Sequence, residues 1–132
     1  MRFLLDTHVV LWATFDSDKL SNEVKETISN TDNQIIVSSI SFWELSIKFG
    51  LGKIQLSTPP DLLPEMVSKI GFDIISASIS ELASVFQLPT VNNHKDPFDR
   101  LLIWQALKNN WTMVSKDPAF SEYKPFGLQL FW

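Results

Sequence analysis

Short apolar runs alternate with stretches of helical spacing along the whole chain, and this alternation limits the fold more than any other feature. Five runs read as strands: Phe3-Leu4-Leu5, Gln34-Ile35-Ile36-Val37, Phe72 to Ile75, Thr112-Met113-Val114 and Leu128-Gln129-Leu130. The segments between them have helix signals. Val9 to Phe15 is apolar nearly all round and reads as a short buried helix. Ser21 caps a helix with Glu23 in its first turn and Val24 and Ile28 on one face. From Ser41 onward Phe42, Leu45 and Phe49 share a stripe that Gly50 and Gly52 stop. Pro59-Pro60 opens a helix whose apolar side is Leu63, Met66, Val67 and Ile70. Ser78 and Glu81 form a capping box ahead of Leu82, Val85 and Phe86. After a loop from Leu88 to Lys95, Asp96-Pro97 opens a helix through Leu107 that Asn109-Asn110 closes, and Asp117-Pro118 opens a short turn or helix. Strands that alternate with helices, without repeats or a long linker, predict one α/β domain over residues 1–132. Its sheet is mostly parallel, of about five strands, and flanked by helices in an α/β/α arrangement. The strand order is left open.

Composition excludes several classes. With 132 residues, 45% of them hydrophobic, the chain is long enough to bury a core and too apolar to be disordered. The absence of cysteine excludes disulfides, thiolate metal sites and a cysteine nucleophile, and fits a reducing cytoplasm. No apolar segment approaches the length of a membrane span, so no membrane association is expected; the opening Met1 to Leu5 imitates a signal peptide only until Asp6. A net charge of −4 lacks the basic footprint of a broad nucleic-acid binder.

Most of the 15 acids belong to turns, caps or solvated helix faces. Five are placed differently. Asp6 and Asp117 lie at or just beyond the ends of apolar strands, Glu44 sits between Trp43 and Leu45 on a helix, and Asp96 and Asp99 begin a helix. In open α/β sheets the strand C-termini and the following helix N-termini line one edge, where ligands bind. These carboxylates can therefore converge despite their separation in sequence. Gathered carboxylates repel one another unless they are protonated or share a cation. Without cysteine and with two histidines, the matching cofactor is one or two Mg²⁺ or Mn²⁺ ions in an all-oxygen site, suited to activating water against a phosphodiester. The structural alternative is capping: Asp96 and Asp117 each precede proline, Asp99 takes the capping-box acid position, and Asp6 can cap the helix after it. Glu44 fits no cap.

Four segments resemble the acidic motifs of the PIN-domain family, and more narrowly those of VapC-type toxins from bacterial toxin–antitoxin pairs. They are Leu4-Leu5-Asp6-Thr7-His8, Phe42-Trp43-Glu44-Leu45-Ser46-Ile47-Lys48, His94-Lys95-Asp96-Pro97-Phe98-Asp99-Arg100-Leu101-Leu102 and Val114-Ser115-Lys116-Asp117. Gly50-Leu51-Gly52-Lys53 also matches the toxin subgroup. The motifs occur in order across nearly the whole chain. The resemblance implies a Mg²⁺- or Mn²⁺-dependent endoribonuclease whose catalytic and metal-binding acids are Asp6, Glu44, Asp99 and Asp117. Thr7, Asp96, Ser115 and Arg100 are auxiliary, with Ser115 standing where the family often has threonine. It also implies an RNA substrate, a small antitoxin partner and a homodimer. The competing readings are an inactive PIN-like protein-binding module and a metal-dependent nuclease or phosphatase outside any toxin–antitoxin pair.

Other residues carry weaker signals. His8 reads as structural, and His94 as a solvated loop residue that could instead touch substrate phosphate. Trp12, Trp43 and Trp104 read as core, Trp111 and Trp132 as candidates for an interface. Arg100 would hold a phosphate or neutralise the acids; Lys48 and Lys53 read as solvated surface that could contact phosphate. Setting aside the four proposed acids leaves 11, equal to the 11 Lys+Arg, so the acidic balance is compatible with a local, metal-mediated RNA site.

Overall fold

A computed structural model describes residues 1–132. Strands β1 (Arg2–Leu5), β2 (Gln34–Ser38), β3 (Asp73–Ile75), β4 (Thr112–Val114) and β5 (Gln129–Phe131) form one sheet in the order β3-β2-β1-β4-β5. All four pairings are parallel, as the alternation of strands and helices predicts. The helices are α1 (Thr7–Phe15), α2 (Asn22–Ser29), α3 (Ser39–Gly50), α4 (Leu63–Ile70), α5 (Ile79–Ser84) and α6 (Pro97–Asn109). A 3₁₀ segment, Pro118–Phe126, follows β4 and connects it to β5.

The sheet is apolar on both faces because alternate strand residues enter different cores. Leu4, Ile36 and Met113 pack with Leu102, Ile103, Phe120 and Tyr123 from α6 and the 3₁₀ segment. Their neighbours Phe3, Leu5, Ile35, Val37 and Val114 pack on the opposite face with Val9 and Val10 of α1, Val24 of α2 and Val67 of α4. The result is the expected α/β/α layering. No helix is long and apolar enough to cross a membrane.

Several local expectations need correction. Helix α3 begins at Ser39 rather than Ser41, because the Ser38 side chain accepts a bond from the Ile40 amide. Leu45 is buried, but its stripe partner Phe49 faces solvent, and Trp43 is 51% exposed instead of belonging to the core. Ile70 and Phe86 are likewise exposed, Phe86 by 80%. Trp111, expected at an interface, is buried within the α6 side of the core. The Ser78–Glu81 capping box forms as read, with both reciprocal bonds present. Asn110 closes α6 in the left-handed conformation at φ +57°, one that asparagine tolerates better than most side chains.

Candidate active site

Strand register brings the first acid to its neighbours. Leu5 pairs with Val114, so the next residues, Asp6 and Ser115, emerge side by side at the sheet's C-terminal edge. The Asp6 amide donates to the Val114 carbonyl at 3.0 Å, and Ser115 Oγ donates to Asp6 Oδ2 at 2.8 Å. Ser115 Oγ also accepts from the Asp117 amide at 3.1 Å, which ties this hydroxyl to both strand-end acids.

Asp6 occupies the N-cap position of α1, yet its side chain accepts no capping bond. The carboxylate is 6% exposed. Its pKa is raised by burial; the Ser115 bond, the nearby His8 and the Thr7 amide act against that shift, while Glu44 adds to it. Capping therefore does not account for this side chain.

Glu44, 3% exposed, is held from two directions. Thr7 Oγ1 donates to Glu44 Oε1 at 2.7 Å and lies 2.9 Å from Ser41 Oγ. Lys48, one turn along α3, pairs with the other carboxylate oxygen, Oε2. Lys48 is thus engaged with an acid and is not a free phosphate contact.

Asp96 and Asp99 divide the work at the start of α6. Asp96 Oδ1 accepts from the Phe98 and Asp99 amides at 2.9 and 3.0 Å, a capping role. Asp99 projects its own carboxylate, and Oδ2 lies 3.1 Å from His94 Nε2. Burial and then the adjacent Asp96 push the Asp99 pKa up to about 7; His94 opposes this, and Asp6 and Glu44 reinforce it. Asp6, Glu44, Asp96 and Asp99 therefore share one electrostatic neighbourhood.

Asp117 stands apart from that group. It is exposed, and its Oδ1 caps the 3₁₀ segment through the Ala119 amide at 2.9 Å. It nevertheless lines the same cavity as Asp6. No three Asp, Glu or His side chains close into a ready-made metal cluster. Asp96 and Asp117 serve backbone amides and Glu44 holds Thr7 and Lys48, while Asp6 and Asp99 each have one side-chain partner, Ser115 and His94, and have their pKa values raised by burial.

Arg100, expected to hold a phosphate or neutralise the acids, makes no ion pair with an acid and also reaches the Tyr123 hydroxyl at 3.4 Å. Its guanidinium donates to the Leu88 carbonyl at 2.7 Å and the Pro89 carbonyl at 3.0 Å, and so fastens the loop preceding α6. His94 is correspondingly no solvated loop residue: Nδ1 lies 3.0 Å from the hydroxyl of fully buried Tyr123, and Nε2 faces Asp99. This Tyr123–His94–Asp99 chain escaped the sequence reading. Tyr123 lies 29 residues beyond His94, and nothing local connects the two. His8 is exposed at the cavity mouth, its ring 6.0 Å from that of Trp12.

The chain belongs to the PIN-domain family, whose model matches residues 3–124, and its parallel sheet with acids at the C-terminal edge agrees with that membership. Among individual proteins, it is 32% identical over 125 residues to Ribonuclease VapC22 of Mycobacterium tuberculosis, covering 92% of this chain and 91% of that protein. The fold is shared with VapBC2 from Rickettsia felis, solved bound to a fragment of promoter DNA (TM-score 0.66, 22% identity, 99% and 98% of the two chains). It is also shared with DNA-bound VapBC from Salmonella typhimurium (TM-score 0.68, 19% identity, 99% and 97%). FitAcB from Neisseria gonorrhoeae is a further structural relative (TM-score 0.59, 16% identity, 98% and 96%).

Proposed function

We propose that the chain is a Mg²⁺- or Mn²⁺-dependent endoribonuclease acting as the toxin of a toxin–antitoxin pair. The observation that carries this reading is Asp6: a buried carboxylate at a helix start that forgoes the available cap, with its charge disfavoured and Asp99 in the same field. A fold keeps such a pair at a cost unless a cation relieves it. Oxygen-only donors suit a hard divalent ion, so the residues present fit the metal. Asp6 and Asp99 would be its principal ligands, with Glu44 and Asp117 as further ligands or as acceptors that orient water. When bound, such an ion lowers the pKa of a coordinated water and neutralises charge on the phosphate.

The chain's own residues set the geometry for that chemistry. Ser115 fixes the rotamer of Asp6, and Thr7 fixes Glu44. His94, anchored on buried Tyr123, positions Asp99. Ribonuclease VapC22 supports RNA as the substrate, and the VapBC complexes support a small antitoxin as the silencing partner. A homodimer belongs to the same proposal. Exposed Ile79, Leu82 and Phe86 offer apolar area for protein contacts beyond the site.

Metal removal tests the reaction. Purified protein should cleave single-stranded RNA with Mn²⁺ present, stop when EDTA is added, and resume when Mn²⁺ is restored in excess. Cleavage that proceeds unchanged in EDTA would count against the proposal.

A further inference from the structure

The gathered acids have a cation of their own. Glu44 and Lys48 stand one turn apart on α3, and Lys48 Nζ pairs with Glu44 Oε2. Three other lysine–carboxylate pairs, Lys19–Asp16, Lys25–Asp18 and Lys69–Glu65, are solvent-exposed on both sides, where such contacts contribute little. In the Lys48 pair the carboxylate side chain is 4% exposed and the lysine side chain 30%.

The ammonium answers more than Glu44. Burial by itself would lower the Lys48 pKa; the bond to Glu44, the charge of Glu44 and then the charges of Asp96 and Asp99 reverse that and raise it. Three of the gathered acids thus act on one side chain. Both oxygens of Glu44 are in use, Oε1 by Thr7 Oγ1 at 2.7 Å and Oε2 by Lys48. A divalent ion sharing Oε2 with the ammonium would meet a like charge at contact distance, which disfavours having both. A pair that merely strengthened the last turn of α3 would need neither a buried carboxylate nor acids from a second helix.

We propose that Lys48 is the resident cation of the metal-free site and competes with the divalent ion for Glu44, so that loading requires the ammonium to leave Oε2. This competition presupposes the metal-dependent reading proposed above and adds a control to it. Lys48 balances the acids until the ion arrives, and it sets the ion concentration at which the site fills. Its flexible four-carbon stem, partly in solvent already, lets the ammonium swing out to water without moving α3.

Calorimetric titration with Mn²⁺ and thermal unfolding of the intact protein test this. Lys48→Met keeps an unbranched stem of similar length without the charge, and should bind Mn²⁺ about ten-fold more tightly than wild type. In EDTA the same variant should unfold several degrees lower, because Glu44 is left buried without its counter-ion, and saturating Mn²⁺ should recover the loss. Lys48→Arg keeps the charge and should bind the ion as wild type does. Lys53→Met removes an equal charge from the exposed turn after α3 and should change neither quantity. A measurement on the unmutated protein covers the case of a Lys48→Met chain that does not fold. The Lys48 ammonium should give a slowly exchanging ¹H–¹⁵N signal in EDTA, assigned by its loss in Lys48→Arg, and saturating Mg²⁺ should abolish it. Mn²⁺ affinity of Lys48→Met equal to or weaker than wild type's, or a signal that persists in saturating Mg²⁺, would overturn the competition and leave the metal reading intact. No Mn²⁺ uptake by wild type or variant would instead sink the metal reading, and the competition with it.

Discussion

Asp6→Asn should lower RNA cleavage by at least about 10³-fold while the protein unfolds at the same temperature or slightly higher. The two halves of this expectation have one source. Asp6 makes no capping bond to α1, and asparagine suits an N-cap position as well as aspartate, so the substitution costs the helix little. An asparagine oxygen can accept the Ser115 hydroxyl as Asp6 Oδ2 does. What disappears is a buried negative charge that the fold disfavours, the group best placed to hold a cation. Cleavage of labelled RNA and thermal unfolding, measured on the same preparation, check both halves. A variant that cleaves like wild type would remove Asp6 from the site, and one that fails to fold would make Asp6 a structural residue.

The second large effect is a pH dependence of stability with a sign opposite to the usual carboxylate. Most native carboxylates are paired, have depressed pKa values and stabilise the fold as pH rises. Asp99 has a native pKa pushed up to about 7 from 3.8, so the folded state holds its proton more tightly than the unfolded chain does. Its contribution therefore becomes unfavourable as pH climbs above about 4 and is fully unfavourable above about 7. Since the group is partly solvated, screening reduces the effect to on the order of 1–2 kcal/mol. In EDTA, Asp99→Asn should thus be more stable than wild type at pH 8 and nearly equal to it at pH 4. Urea denaturation at the two pH values measures the difference. A wild-type advantage at pH 8 would contradict the assigned environment of Asp99.

What was legible in the sequence follows the range of the interactions involved. Runs such as Ile35-Ile36-Val37 and Thr112-Met113-Val114 announce themselves because buried parallel strands are apolar on both faces. The Ser78–Glu81 box is complete within four residues and forms as read. The order β3-β2-β1-β4-β5 depends on pairings across the chain, such as β1 with β4, for which local pattern carries no signal. Apolar neighbours misled at Trp43: it lies next to buried Glu44 and Leu45, yet a one-residue step turns the helix by about 100°, and the indole faces out against Phe98. For the site, spacing alone identified acids at strand ends and helix starts. It could not separate Asp96, whose carboxylate serves the helix, from Asp99, whose carboxylate does not. The burial of His94 and the loop anchoring by Arg100 escaped for the same reason, since their partners Tyr123, Leu88 and Pro89 are fixed by the closed loop.

Calorimetric titration of Mn²⁺ into the purified chain tests the central claim most directly. Wild type should bind the ion with a measurable heat, and Asp6→Asn and Asp99→Asn should each lose most of that binding while remaining folded. A folded wild-type protein that takes up no Mn²⁺, or variants that bind it as wild type does, would contradict the account.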